Sequence, residues 1–568
     1  MADKNVCDVI LEVLADAGVK YIFGIPGGVI NAMVDAIRRQ DIIKMIHVRH
    51  EEAGAFAASA QAKLSGKLAV CMGTSGPGAI HLLNGLYDAK LDRAPVLAIT
   101  GQVETRFEGS DYHQEVNLLS LFENVAIYNQ QVESGEQMPR IIEQAVRAAY
   151  YHKGVAHISL PMDVARQKVS RPEYRTKLLS EQPAMIPPPQ YIREAAAYLN
   201  TCSKITILAG IGAKHATTQL EEVARILKAP IVKALRGKDI LPDAHPYCIG
   251  GLGLLGTKPG YEAVRDCDCL FMIGTDFPYV EFLPEKLKVI QIDIDGTQLG
   301  KRVPVEVGLW GDAASTLAAL IPQLHPHEND DFLETSRAHM KTWRSSLATF
   351  ETSGDLPLHP QALAACISKY AESDAIYCCD TGNVTVWAAR NIMIRDQQKF
   401  TLSAGLASMA FGMSAAMGAK LLYPDKQVIA LCGDGGFAML MADFLTAVKY
   451  DIAIVVVVFN NHKLGMIQAE EEVMGIPEFE VYQHNCDFAE YAKICGGDGL
   501  KLMGPTGLED AVKKALISKK PFILDVEVNA EELPYPPHTE IEQAFGFLKA
   551  KVKEYMGEGE KEGLHNRF

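Results

Sequence analysis

The stretch Val428-Ile429-Ala430-Leu431-Cys432-Gly433-Asp434-Gly435-Gly436, with the apolar run Ile452 to Phe459 and the pair Asn460-Asn461 beyond it, decides the fold. A short apolar run rich in β-branched residues and closed by glycines reads as a buried strand that delivers its last residues to a loop. Residues Phe437 to Tyr450 read as a crossover helix, so strand, helix and return strand lie in one parallel sheet. Asp434 and Asn461, 27 positions apart, then share the carboxyl edge of that sheet, where open α/β folds bind ligands. Both side chains offer oxygen to one hard cation. The glycines beside Asp434 let backbone amides approach phosphate, and Mg²⁺ combines a few protein oxygens with phosphate oxygens. The pair predicts a diphosphate and Mg²⁺ site.

The same alternation of strand and helix fills the chain, which places it in the α/β class with three doubly wound parallel sheets in series. In the first third, Tyr21 to Phe23, Leu68 to Met72, Val96 to Thr100 and Ala156 to Leu160 read as strands, and Glu52 to Leu64 as an alanine-rich helix. Pro183 and Pro187 to Pro189 mark a linker. Ile205 to Ala209, Leu270 to Ile273 and Val289 to Ile294 are strands of a second unit; Phe522 to Val528 closes the third. The domains expected are 1–180, 190–325 and 355–535, followed by a helical tail at 536–568. The first and third units have similar size and element order.

Composition removes other classes. Among 568 residues, 70 acidic against 55 basic leave a net charge of −15, so there is no electrostatic footprint for nucleic acid. The longest apolar runs fall short of the roughly 20 residues a membrane-spanning helix needs, and no signal-like start is present; the expected location is cytoplasmic. The twelve cysteines contain no CxxC, and Cys267 with Cys269 and Cys378 with Cys379 read as small hydrophobes in reduced cores.

Further motifs cluster in the first and third units. Arg49-His50-Glu51-Glu52 precedes the helix, Gly73-Thr74-Ser75-Gly76-Pro77-Gly78 is followed by Asn84, and Gln114 stands in Asp111-Tyr112-His113-Gln114-Glu115. The third unit adds Asp380-Thr381-Gly382-Asn383 and Ala407-Ser408-Met409. Together with Gly433 to Gly436 and Asn461, these resemble the thiamine-diphosphate superfamily of decarboxylases, acetolactate synthases and pyruvate oxidases. The resemblance implies Asp434, Asn461 and the Lys463 carbonyl as Mg²⁺ ligands, and Glu51 as the residue touching N1′ of the aminopyrimidine. It implies that Gln114 points its amide into the active site and that Met409 props the cofactor into a bent shape. Gly76, Asn84, Asp380, Gly382, Asn383, Ala407, Ser408, Gly433, Gly435, Gly436, Gly465, Met466 and Ile467 are expected cofactor neighbours, and Met466 and Glu470 catalytic lid residues. His113 and Met466 depart from the aromatic residues of most relatives.

In the middle unit, Gly210-Ile211-Gly212 follows a strand but lacks the third glycine of a dinucleotide fingerprint. Gly253-Leu254, then Thr275-Asp276-Phe277-Pro278-Tyr279, then Asp293 and Asp312 resemble the FAD-binding segments of pyruvate oxidases. The match spans Asp8 to about Phe547 and is closest to the quinone-linked type. It implies thiamine diphosphate, Mg²⁺ and FAD as cofactors, and oxidative decarboxylation of pyruvate or a similar small 2-oxo acid through a thiamine-bound carbanion, with electrons passing to FAD, then to quinone or O₂, and acetate or acetyl phosphate released. An acetolactate-synthase-like carboligase with non-redox FAD and, more remotely, a silent flavin-binding sensor stay open. The resemblance also implies a homodimer of active sites within a homotetramer. The tail carries Ile541, Phe545, Leu548, Val552 and Tyr555 on one helical face, which suits packing on the protein, with peripheral contact at the inner face of the cell membrane left open.

Overall fold

The computed structural model describes residues 4–169, 178–180, 183–284, 286–532, 549–551 and 553. Strands β1 (Tyr21–Gly24), β2 (Lys44–His47), β3 (Ala69–Gly73), β4 (Val96–Gln102), β5 (Ala126–Gln131) and β6 (Val155–Pro161) form a sheet in the order β2-β1-β3-β4-β6-β5. A second sheet holds β7 (Ile205–Ala209), β8 (Ile231–Lys233), β9 (Cys248–Gly251), β10 (Cys269–Ile273), β11 (Lys288–Asp293) and β12 (Val307–Trp310), in the order β12-β11-β10-β7-β8-β9. The third holds β13 (Ile376–Cys379), β14 (Lys399–Leu402), β15 (Val428–Gly433), β16 (Val455–Asn460), β17 (Asp498–Leu502) and β18 (Phe522–Glu527), in the order β14-β13-β15-β16-β18-β17. All these pairings are parallel. The fold is α/β with three parallel sheets in series, as the alternation predicts.

The orders locate the ligand crevices. The first and third sheets share one order, and in each the chain reverses direction between the first and third strands, β1 and β3 or β13 and β15. Read from β9, the middle sheet has the order 3-2-1-4-5-6 of dinucleotide-binding sheets, with its reversal between β7 and β10. Crevices therefore open where β3, β10 and β15 end beside their neighbours.

The helix Glu51–Ser65 joins the first and third units. Alanine and glycine on nearly every side let it bury twelve of its fifteen residues, between the first sheet and the helix Phe411–Leu422 of the third unit. A Cβ on Gly418 would meet the Ala57 carbonyl oxygen at 2.3 Å, so only glycine permits this approach. Lys63 Nζ sits 2.7 Å from Asp88 and 2.6 Å from Asp92, and Asp92 also accepts backbone N–H groups from Ala404 and Gly405 and pairs with Arg236. This buried network ties all three units together.

Two sequence expectations are corrected. The crossover after β15 is not one helix over 437–450: it starts at Asp434, breaks in the turn Met441–Asp443 and resumes as Phe444–Lys449. The break turns the Asp443 carboxylate onto the backbone of Arg49 and His50. The return strand starts at Val455, three residues later than Ile452, because Ile452 to Ile454 close the turn after the helix. The tail stripe Ile541, Phe545, Leu548, Val552 and Tyr555 lies outside the described residues. Of the tail, Lys551 pairs with Glu472 and Lys553 Nζ donates to the Gly475 carbonyl at 3.1 Å, so this part rests on the helix Gly465–Val473. All twelve cysteines are free, and Cys267, Cys269, Cys378 and Cys379 are buried. No helix among the described residues is long and apolar enough to cross a membrane.

Candidate active site

At the reversal between β13 and β15, a cleft of about 270 Å³ is lined by Gly382, Asn383, Ala407, Met409, Gly433 to Gly436, Asn461, Lys463 and Gly465 to Ile467. Asp434 is the first residue of its helix, and burial pushes its carboxyl up to about 6. Its Oδ2 accepts from Asn485 Nδ2 at 2.7 Å, and the same amide reaches Asn460 Oδ1 at 3.0 Å. Asn461 Oδ1 accepts from the Lys463 backbone at 3.3 Å, and Lys463 Nζ is tied to Glu478 and Glu531, both at 2.9 Å.

The cleft fits a diphosphate and a hard cation. A Cβ at Gly433 or Gly382 would meet nothing within 4 Å, so bare backbone faces open space there. A Cβ at Gly436 would instead strike Asp380 Oδ2 at 2.2 Å and one at Gly465 the Asn383 amide at 2.3 Å. Asn383 Oδ1, in the cleft lining, is buried without a hydrogen-bond partner among the described residues, and such an atom in a polar cleft calls for a ligand or ion. The Asp434 carboxylate and Asn461 amide are the oxygen donors Mg²⁺ takes.

Ala407, Ala410 and His462 all have left-handed backbone, with φ of 56°, 69° and 57°, as does Gln114 with φ 62°. Non-glycine residues hold such angles only where the surroundings dictate them, commonly at ligand sites. Met466 and Ile467 open the helix that lines the cleft; Glu470, one turn on, is exposed and outside the lining. Ser408 accepts from Asn84, which also donates to Glu52 at 2.6 Å, so Asn84 bridges the first and third units of the chain.

The first-unit motifs meet one another. Glu51 is buried at the start of its helix, with Oε2 3.0 Å from His81 Nδ1, and a Cβ on Gly78 would lie 3.1 Å from its Oε1. Gly76 packs against the Gln114 backbone, and the Gln114 and His113 side chains are exposed. Ligand atoms of His50, Glu51 and His81 lie within 4.8 Å of one another, close enough for a metal ion; His50 Nδ1, however, already accepts from the Glu52 backbone as the helix cap. Glu51, Gly76 and Gln114 do not line the diphosphate cleft of their own chain.

In the middle unit a cavity of about 700 Å³ lies at the edge of β7, β10, β11 and β12 and is walled by all three units. Gly212, Asp293 and Asp312 line it, with Arg93, Ile294, Asp295 and Trp310. Burial holds the Asp293 carboxyl above the usual range. Asp312 caps the next helix by accepting from Ser315, and Trp310, 58% exposed, donates Nε1–H to Ile294. Gly210 abuts Thr275, whose neighbour Asp276 accepts from Arg302 through its carbonyl; Gly253 sits beside the rings of Phe277 and Tyr279, next to Pro278. Arg390 Nε donates to the Gly256 carbonyl at 3.0 Å and its Nη2 to that of Leu254 at 3.3 Å, so this second cluster is pinned to the third unit.

Comparison with known proteins follows this division. Residues 4–121 match the N-terminal TPP binding domain of the thiamine pyrophosphate enzymes, 192–320 their central domain and 380–526 their C-terminal TPP binding domain. The chain belongs to the thiamine pyrophosphate enzymes. This family member is 42% identical over 557 residues to a protein of Bacillus subtilis (strain 168) named as thiamine pyrophosphate-containing, covering 98% of this chain and 97% of that one. It is 34% identical over 536 residues to the pyruvate oxidase of Lactiplantibacillus plantarum, covering 93% and 89%. It is 31% identical over 548 residues to the acetolactate synthase of Mycobacterium bovis, covering 93% and 88%.

Sequence reasoning missed Asn485, Asp443, His81 and Trp310. Asn485 stands in no motif. Asp443 carried a weak signal, one carboxylate inside the apolar run Met439 to Leu445.

Proposed function

We propose that this thiamine-diphosphate-dependent enzyme carries out the oxidative decarboxylation of pyruvate or a similarly small 2-oxo acid, with Mg²⁺ and FAD bound. The observation that carries the reading is the cleft at the end of β15, where bare glycine backbone lies beside the oxygens of Asp434 and Asn461. Asp434, Asn461 and the Lys463 carbonyl hold Mg²⁺, and Gly382, Asn383 and Gly433 to Gly436 surround the diphosphate. Thiamine diphosphate, when bound, supplies the carbon nucleophile and electron sink that decarboxylation needs, and FAD the two-electron acceptor. Glu51 holds a proton at the aminopyrimidine ring, in a buried setting that excludes water. Gln114 orients the substrate from the first unit, and Met466 and Ile467 cover it from the lid helix.

The cavity walled by all three units takes FAD: Asp293 and Asp312 accept ribose hydroxyls, and Trp310 and Ile294 offer apolar surface to a ring. Because Glu51 and Gln114 stand apart from their own chain's cleft, the complete site forms between two subunits of a dimer, within a tetramer. Acetate or acetyl phosphate is the product, quinone or O₂ the electron acceptor, and the cytoplasm the location, with the tail packed on the protein.

One comparison favours a second reading. The 31% identity to an acetolactate synthase supports a carboligase in which FAD takes no electrons. Product analysis separates the two: incubation with pyruvate, thiamine diphosphate, Mg²⁺ and an artificial electron acceptor yields acetate or acetyl phosphate under the first, and acetolactate without use of the acceptor under the second.

A further inference from the structure

The loop that delivers Glu51 is held by the third unit of its own chain. Asp443, fully buried in the break of the crossover, accepts the Arg49 N–H on Oδ1 at 2.8 Å and the His50 N–H on Oδ2 at 3.1 Å. Thr446 Oγ1–H steadies Oδ1 at 2.8 Å. One turn further, the Tyr450 hydroxyl accepts the His47 N–H at 2.9 Å, and Lys449 Nζ lies 3.2 Å from His47 Nδ1. Every residue from His47 to His50 except Val48 is thus gripped by 443–450, and Glu51 comes next, as the first residue of its helix.

A buried carboxylate that spends both oxygens on two adjacent backbone amides is a rigid fixture: charge-assisted bonds to N–H groups are strong, and the anion also complements the positive end of the helix Glu51–Ser65. The same crossover begins with Asp434. One segment therefore carries the metal-binding carboxylate at its start and the support of Glu51 at its break.

We propose that Asp443 is a positioning residue: it sets the backbone of Arg49 and His50 so that the Glu51 carboxylate stands at the height the aminopyrimidine requires. The assignment rests on the reading of Glu51 given above. Asp443 touches neither cofactor nor substrate, and its effect passes through the loop alone. A displacement on the order of 1 Å in a group that moves a proton costs about 100-fold in rate, whereas diphosphate and Mg²⁺ binding, made at the other end of the crossover, is spared.

The test uses Asp443→Asn, which keeps the shape but turns one acceptor into a donor facing an N–H, and Thr446→Val, a milder change that removes the hydroxyl from Oδ1 together with its longer 3.4 Å approach to the His47 carbonyl. For each full-length variant, three quantities are read: affinity for thiamine diphosphate with Mg²⁺, deuterium exchange at C2 of the bound cofactor after acid quench, and amide hydrogen exchange of residues 47–52. Expected are affinities within about threefold of the parent, C2 exchange about 100-fold slower in Asp443→Asn and several-fold slower in Thr446→Val, and faster amide exchange at 49–50 in both. Parental C2 exchange in Asp443→Asn, or slowing no larger than its loss of bound cofactor, overturns the proposal. Glu51→Gln serves as the control: parental C2 exchange there sinks the reading of Glu51, whereas slow exchange in Glu51→Gln beside parental exchange in Asp443→Asn sinks the positioning role alone.

Discussion

His81 places Nδ1 3.0 Å from Oε2 of Glu51, and the half-exposed imidazole is the direct side-chain partner of that buried carboxylate. An imidazole donating from Nδ1 to Oε2 leaves Oε1 as the carboxylate oxygen free for the cofactor. Glu51→Gln is expected to lower turnover by at least about 100-fold with FAD and fold retained, the scale of a lost acid-base group. His81→Gln removes an orienting partner and not the proton-transfer group itself, so it is expected to lower turnover less than Glu51→Gln does. Steady-state kinetics checks both, and parental activity in Glu51→Gln contradicts its role.

The glycines of the diphosphate cleft separate into two behaviours. Gly433→Ala adds a methyl to open space, at φ −75° that alanine accepts, so melting stays unchanged while thiamine diphosphate binds at least about tenfold more weakly, the cost of about 1.4 kcal/mol of lost contact. Gly436→Ala drives a methyl into Asp380 Oδ2 and is expected to destabilise the apo protein by about 1–3 kcal/mol. Thermal melting with cofactor titration distinguishes them.

Burial pushes the Asp380 carboxyl up to about 7, against two backbone N–H bonds, from Thr381 and Phe411, that favour its charged form. A folded-state value above the unfolded one, near 3.8, means that folding favours the protonated form. This group therefore burdens the apo fold fully above about pH 7 and less as pH falls toward about 4. Asp380→Asn mimics the protonated form, so it is expected to stabilise the apo protein at pH 8 by at most about 4 kcal/mol and to leave it little changed near pH 4. Denaturant unfolding of the two proteins across that range is the check, and equal stability at pH 8 contradicts the assignment.

How far this was legible in the sequence depends on where the cause lies. Asp434 and Asn461 declare themselves because strand, crossover and strand have nearly fixed lengths, so 27 positions imply one sheet edge. The break at Met441–Asp443 does not, because its cause, the backbone of Arg49 and His50, lies 394 and 393 residues away. Asn84 reads as a cofactor neighbour by its motif, and its bridge from Glu52 to Ser408 shows only in the structure. The strand order of the middle sheet, hidden in Gly210-Ile211-Gly212, emerges only from pairing, and with it the cavity walled by Trp310.

The two halves of the site can be tested by mixing defective subunits. Glu51→Gln and Asp434→Ala chains are each expected to be nearly inactive. Co-refolded or co-expressed, they are expected to regain up to about a quarter of parental activity, because a mixed dimer pairs one intact Glu51 with one intact Asp434 in one of its two sites and about half of random dimers are mixed. Activity counts from the mixture no higher than from the separate variants contradict a site shared between subunits.

The most direct measurement of the central claim is anaerobic addition of pyruvate to the protein loaded with thiamine diphosphate, Mg²⁺ and FAD, followed through the flavin absorbance. Oxidative decarboxylation predicts that the absorbance bleaches as about one substrate equivalent per flavin is consumed, since the two electrons have nowhere else to go. Acetolactate accumulating while the flavin stays oxidised contradicts it.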